Sequence, residues 1–519
     1  MATGTSRRLL EGSALRVTAL VAGMVPAFYV MPFLVHTLGD RWYGFWGLVG
    51  SIVGYYSLLD LGLSNSAHRF LALARGRGDQ HETNQVFTTA LLLFSVGGVC
   101  SFAMMGIVWV GVPFFAKAPD VGTLRTLVLL LGANLAISFP VAVFYGVLTA
   151  NLRYDLTSYI YIVKVLVRTV IVVIILSRIP SVVALAWITL VVEVTANAGV
   201  ALAAFRVCPG LRATLRLYDR ARVRPFFGFG LYAFLVRVGD LVRFGVDNVV
   251  IAGLISVSAV THYGIAMRLT SYFQDVLVNA LDVLLPVFSR FHGADERQAL
   301  IKGVRQASRL AVALAGSLAG AAIIFGIPFI RRWMGQPYLD AYWPLVILVL
   351  AATLSVMQTP STSYLYAVAR HRYYAALNGA DAAVNLLLSI ILARRYGIIG
   401  VAVGTAVPTA VVKLVLQPRY VCSELGYSVS DYWKELGRIL LGTAVLQLPI
   451  AMVVWFVHPA SYPTIIGLAT GLYSAHLILL YLFILSREDQ ETLARAFPLL
   501  LPLVETRRRV TALVSDTLR

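Results

Sequence analysis

Apolar segments of membrane-spanning length recur along nearly the whole chain, from residue 14 to residue 486. A helix needs about 20 apolar residues to cross a bilayer, and in lipid the backbone must satisfy its own hydrogen bonds. Of the 519 residues, 59% are hydrophobic and 13% are charged, whereas soluble domains carry about 25% charged residues. The sequence therefore predicts an all-α integral membrane protein.

The hydropathy pattern predicts about fourteen transmembrane helices. Their expected ranges are 14–37, 42–66, 84–113, 122–150, 155–177, 181–206, 226–254, 258–288, 305–330, 341–369, 373–394, 398–421, 436–457 and 463–486. Arginine-rich loops alternate with loops that carry little charge, so the positive-inside rule places both termini in the cytoplasm. An even number of helices satisfies that orientation.

The net charge of +18 is best explained by basic loops that face the cytoplasm and anionic lipid. No soluble domain is present to bind nucleic acid, so nucleic acid is not an expected partner. The three cysteines, Cys100, Cys208 and Cys422, lie far apart and have no metal-ligand spacing. No nucleophile motif or phosphate-binding loop occurs either. We therefore expect no metal, no cofactor, no catalytic residues and no enzymatic activity.

Short sequence matches recur at a nearly constant offset of 219 to 221 residues. They pair "YGFWGL" (43–48) with "YGIAMRL" (263–269), "HRF" (68–70) with "SRF" (289–291), and "YGVLTANLRYDL" (145–156) with "YLYAVARHRYYA" (364–375). Several matches at one offset indicate an internal repeat. Because six helices is an even number, both copies have the same orientation in the membrane.

The repeat predicts three regions. Residues 1–220 and 221–425 form two pseudo-symmetric six-helix bundles, and residues 426–519 add two transmembrane helices and a cytoplasmic amphipathic tail. Transporters built from such repeats bind substrate near the bilayer midplane and rock about that site.

This layout resembles the multidrug/oligosaccharidyl-lipid/polysaccharide exporter superfamily. The segment "YSLLDLGLSNSAHRFLALARGRGD" (56–79) is similar to the second-helix signature of bacterial polysaccharide flippases, and "SREDQETLARAFPLL" (486–500) resembles their ending. The resemblance implies an inner-membrane flippase for O-antigen or exopolysaccharide precursors. It would move a polyprenyl-pyrophosphate-linked glycan to the outer leaflet by alternating access. Membrane lipid is a further partner, and the resemblance leaves a polysaccharide polymerase open as another.

Such a substrate carries a diphosphate, which needs fixed cations in a wet cavity. Arginine suits this role because its planar guanidinium binds phosphate in bidentate fashion and stays charged. In "LVRVGDLVRFGVDN" (235–248), Arg237, Asp240, Arg243 and Asp247 fall within an arc of about 120° on one helix. This shared face is predicted either to line the cavity or to form ion pairs that support the bundle.

Three more cations lie within predicted spans, namely Arg268, Lys164 and Arg168. Lys164 and Arg168 lie too deep in their predicted helix for easy snorkelling, so we expect them to line the cavity. Arg268 could instead snorkel to the membrane–water interface. Buried carboxylates could couple transport to a proton or sodium gradient. The candidates for that role are Asp240, Asp247 and Asp275.

Three other functions remain open. A peptidoglycan-precursor (lipid II) flippase would also need a cationic cavity. A multidrug cation antiporter would need an acidic one, and the arginines argue against it. A membrane polymerase or ligase of the same pathway usually relies on a large outer loop, which the predicted layout lacks.

Overall fold

The computed structural model describes the backbone of residues 22–115 and 120–496, with side chains except at 56–57, 114–115, 228–244, 371 and 495–496. This part of the chain is helical and contains no β-strand, which confirms the predicted all-α class. The helices are α1 (Ala22–Leu38), α2 (Asp40–Tyr56), α3 (Leu63–Gly76), α4 (Gln80–Phe115), α5 (Asp120–Ala150), α6 (Tyr154–Leu176), α7 (Val182–Val207), α8 (Arg220–Leu254), α9 (Val257–Leu281), α10 (Leu284–Gly293), α11 (Arg297–Trp333), α12 (Tyr342–Met357), α13 (Thr359–Ala367), α14 (His371–Val411), α15 (Gln417–Leu425), α16 (Val429–Val457), α17 (Tyr462–Leu479) and α18 (Arg487–Ala496).

Within the described residues, ten helices are long and apolar enough to cross a membrane. The number rises to eleven if the bent pair Asp40–Asp60 and Leu63–Gly76, which meet at 44°, forms one span. A multi-pass membrane protein is thus confirmed, and the total of fourteen spans stays a prediction.

One of the ten candidate spans is a helical hairpin. It runs for 54 residues from Arg372 to Leu425, far longer than a bilayer requires. Gly397 interrupts it with φ 58° and ψ −140°, a backbone conformation that residues with a Cβ rarely adopt. Beyond this break the hydroxyl of Ser389 donates to the carbonyl of Val401 at 3.4 Å, so the two arms pack side by side. The predicted break between the eleventh and twelfth helices is found here.

The predicted spans 258–288 and 341–369 correspond to candidate spans at Val257–Gly293 and Gln336–Ala367, whereas 42–66 corresponds to the bent pair. Inside each of the three, the helix has a local break that was not predicted. The first break lies at Gly62, which has φ 75° in the left-handed region. The other two breaks precede Pro286 and Pro360, which lie in the first turns of α10 and α13. Proline fits there because those backbone N–H groups have no helical acceptor.

The chain divides into two compact units, Met1–Thr261 and His262–Arg519. Helix α8 belongs to the first unit, where it packs against α2 and α3. The buried hydroxyl of Ser66 donates to the carbonyl of Phe226 at 2.6 Å and fixes this contact. The predicted regions 1–220, 221–425 and 426–519 rest on the sequence repeat, a different criterion, and stay a prediction.

In the second unit, a buried ion cluster attaches α18 to α11 and α16. The Arg309 side chain is 9% exposed and Asp489 is 0% exposed. The Arg309 guanidinium donates to the two Asp489 carboxylate oxygens at 2.7 and 2.9 Å, and to Glu435 at 2.6 Å. This bidentate geometry is the strongest form of a charge-assisted hydrogen bond, so it holds the helix that follows the last span.

Candidate functional site

The charged segment of α8 is described only at its end. The side chains of Arg237, Asp240 and Arg243 lie outside the described residues, so their shared face stays a prediction. Asp247 is 2% exposed and interacts electrostatically with Tyr55 on α2. The next residue, Asn248, donates to the Ser51 hydroxyl at 2.8 Å. Asp247 is therefore packed where α8 meets α2.

Lys164 forms an ion pair within the first unit. Its ammonium group lies 3.0 and 3.2 Å from the two carboxylate oxygens of Glu193 on α7. Both side chains are partly exposed, and the Lys164 ammonium also lies 5.6 Å from the Tyr161 ring centroid. This pairing could not be predicted from the sequence, because the two residues are 29 positions apart on different helices.

Arg168 lies one turn beyond Lys164 on the same face of α6. Its guanidinium donates to the Thr189 hydroxyl at 3.2 Å, and no described carboxylate lies within ion-pair distance of it. The Lys164–Arg168–Glu193 cluster therefore carries one excess positive charge inside two apolar spans.

Arg268 lies near the middle of α9 and is exposed. Its guanidinium donates to the Tyr272 hydroxyl at 2.9 Å and lies 4.8 Å from the centroid of that ring. Asp275, two turns along the same helix, is also exposed, and no described carboxylate is within ion-pair distance of Arg268. The tyrosine therefore orients this guanidinium without neutralising it.

A buried polar seam that was not predicted from the sequence connects the hairpin of the second unit to α13. The Lys413 ammonium donates to Gln417 at 2.8 Å, and Gln417 donates to the Thr362 hydroxyl at 3.0 Å. Both Lys413 and Asp381, which lies on the first arm, are buried. A lone lysine in an apolar run, four residues before a glutamine, was the available signal. The Lys413 ammonium thus has its hydrogen-bond partner within the unit, as a buried charge requires.

Among the described residues, no group of three or more His, Cys, Asp or Glu side chains could hold a metal ion. The three cysteines are free thiols.

Comparison with known proteins adds a family and a fold. Residues 43–343 match the family described as polysaccharide biosynthesis protein. The uncharacterized membrane protein EpsK of Bacillus subtilis is 20% identical over 507 residues, which cover 93% of this chain and 96% of that protein. An uncharacterized membrane protein of Methanocaldococcus jannaschii, MJ1068, is 23% identical over 190 residues, covering 36% and 38% respectively.

Two solved structures match with TM-scores of 0.68. One is an inward-facing multidrug resistance MATE family transporter of the MOP superfamily, with 17% identity over 80% of this chain and 99% of the other. The second is the lipid II flippase MurJ in an inward closed conformation, with 12% identity over 91% and 99%. At these identities the likeness shows the fold alone, which is the fold of the predicted superfamily.

Proposed function

Because the chain belongs to the family of polysaccharide biosynthesis proteins, we propose that it flips a polyprenyl-pyrophosphate-linked oligosaccharide from the cytoplasmic to the outer leaflet. The chain is a multi-pass membrane protein of the transporter and flippase class and not an enzyme. The proposal adds the cargo, the direction and the alternating-access mechanism. It also adds the bacterial inner membrane as the location, with both termini in the cytoplasm.

The observation that carries the proposal is the pair of intramembrane guanidinium groups without a carboxylate at ion-pair distance, on Arg168 and Arg268. Placing an arginine in hydrocarbon is costly unless it meets water or an anion. An anionic cargo meets that need, since each planar guanidinium can donate two parallel hydrogen bonds to a phosphate. A cationic drug would be repelled by the same groups.

The remaining predicted residues take roles within this mechanism. Lys164 neutralises Glu193, so the cluster keeps the positive charge of Arg168. Arg237 and Arg243 provide further cations on α8. We assign ion coupling to the carboxylates that share helices with these cations, at Asp240, Asp247 and Asp275.

Depletion of the protein in its host, with mass spectrometry of polyprenyl-linked glycans, tests the cargo. We expect one complete lipid-linked glycan to accumulate and the surface polymer to be lost. Arg168→Gln and Arg268→Gln should each fail to rescue, because each removes a phosphate-binding cation. Arg178→Gln, at an exposed turn after α6, is the matched control and should rescue fully.

Two other results would assign a different cargo to the chain. Accumulation of the peptidoglycan precursor would assign the chain to lipid II transport. Unchanged lipid intermediates with increased sensitivity to cationic drugs would assign it to drug export. Full rescue by both arginine variants would reject the role of these cations while leaving the cargo in place.

A further inference from the structure

A second charged site lies in the second unit, at a cavity of about 380 Å³. It is formed where the end of α10, the start of α11, the turn after α13 and the end of α15 meet. The cavity falls within the range of about 300–1,000 Å³ that is typical of small-molecule sites. These loops are the arginine-rich ones, so the charge pattern places the cavity on the cytoplasmic side.

Four charged side chains line this cavity, two basic and two acidic: Arg297, Arg370, Asp295 and Glu424. Arg370 and Glu424 approach only to 3.8 Å, which is beyond hydrogen-bond distance. The side chains of Asp295 and Arg297 form no hydrogen bond or ion pair with any residue that the structure describes. Most of the hydrogen-bonding capacity of this group is therefore open to a ligand.

The cluster around Arg309 shows how charges in the same unit behave when their role is structural. There the guanidinium and its carboxylates meet at 2.6 to 3.3 Å. In the cavity, by contrast, Arg370 and Glu424 approach only to 3.8 Å, and Asp295, Arg297 and Arg370 are exposed, so their donors and acceptors are accessible to a ligand.

The mixture of donors and acceptors identifies the class of ligand. A phosphate accepts hydrogen bonds and donates few, and Asp295 and Glu424 would repel it. A sugar hydroxyl both donates and accepts, so a ring with several hydroxyls fits arginine donors that alternate with carboxylate acceptors. The cavity wall also contains Phe291 and buried Tyr364, which can contact the apolar face of a ring.

We propose that this cavity binds one sugar ring of the lipid-linked glycan on the cytoplasmic side, before translocation, and thereby selects the cargo. This inference rests on the proposed function and assigns glycan recognition to residues outside the intramembrane cations. The diphosphate binds within the membrane spans, and the glycan is recognised at the cytoplasmic ends of those spans.

The test uses the purified full-length protein in lipid nanodiscs and saturation-transfer NMR. The probes are hexoses, N-acetylhexosamines, 6-deoxyhexoses and hexuronic acids, with inorganic pyrophosphate as the competing anion. We expect saturable binding of at least one sugar. Asp295→Asn and Glu424→Gln should each weaken it about tenfold, because each replaces a charged acceptor by a neutral amide.

Glu488→Gln is the matched control, since it makes the same change of charge at a carboxylate that does not line the cavity. It should leave sugar binding unchanged. The proposal is overturned if no sugar binds saturably, if the control weakens binding as much as the cavity variants, or if pyrophosphate displaces the sugar at equal concentration.

The depletion assay separates this inference from the proposed function. If depletion accumulates a lipid-linked glycan and the cavity variants still export every glycan at the wild-type rate, the cavity does not select cargo but the flippase assignment stands. If depletion leaves lipid-linked glycans unchanged, the flippase assignment fails, and with it the glycan-selection role.

Discussion

Replacing Arg309 by methionine should release α18 from the second unit. Methionine is similar in length and apolar, so the substitution removes the charge and its hydrogen bonds while keeping most of the packing. Asp489 would then be a carboxylate that is 0% exposed and has lost its bidentate partner. It can regain water only if α18 moves away from α11.

The magnitude follows from this burial. Removing one member of a buried ion pair costs about 3–5 kcal/mol, because the other charge is left uncompensated. Glu435 is 24% and Glu488 is 42% exposed, so water can solvate these two without a structural change. The cost therefore falls on the Asp489 contact, and the docking equilibrium of α18 should shift by a factor of about 200 to 5,000.

Hydrogen exchange of α18, measured by mass spectrometry in nanodiscs, reports this local opening. Arg309→Met should raise the exchange rate by the factor above. Adding Asp489→Asn to that variant should recover part of the protection, because both charges are then gone. Lys302→Met is the control, since the exposed Lys302–Glu488 pair is worth at most about 1 kcal/mol. Exchange within about threefold of wild type in Arg309→Met would refute the reasoning.

Three further predictions use the same variant approach. Lys164→Met should lower the thermal stability of the purified protein, and adding Glu193→Gln should restore part of it; an additive double variant would contradict the pairing. Gly397→Ala should destabilise the hairpin by about 1–3 kcal/mol, measured by thermal unfolding, because alanine is strained at φ 58°; an unchanged melting temperature would argue against the break. The hydrogen bond from Lys302 lowers the pKa of Glu488. The stabilisation that ionised Glu488 gives to the docking of α18 is therefore complete above the ordinary carboxyl pKa and lost as the pH falls through the lowered value. The protection factors of α18, which are exchange rates normalised to the intrinsic rate at each pH, should thus be equal at about pH 7 and pH 5, and lower protection at pH 5 would contradict this assignment.

The helix breaks show which boundaries the hydropathy pattern could predict and which it could not. The segments 42–66, 258–288 and 341–369 are predominantly apolar, and hydropathy alone does not register a local break. The break at Gly397 lies in the gap predicted between the helices 373–394 and 398–421. Boundaries were therefore predictable where the composition changes, and not where only the backbone dihedral angles change.

For the side chains of the candidate site, the sequence identified the charged residues but not their partners. Lys164, Arg168 and Arg268 could be identified because a charge within an apolar run is costly wherever the helix packs. Their environments could not be predicted. Glu193 lies across from Lys164 on another helix, and Tyr272 orients Arg268 from the same helix without a distinctive pattern in the sequence.

The sequence by itself determined that the chain crosses a membrane many times, and which residues carry charge into it. Both follow from the cost of placing polar groups in hydrocarbon, which acts on each segment separately. The tertiary structure decided which of those charges are neutralised, as at Arg309 and Asp489, 180 positions apart. It also brought Arg297, Arg370, Asp295 and Glu424 to one cavity. Such contacts depend on how helices pack, and no single segment contains that information.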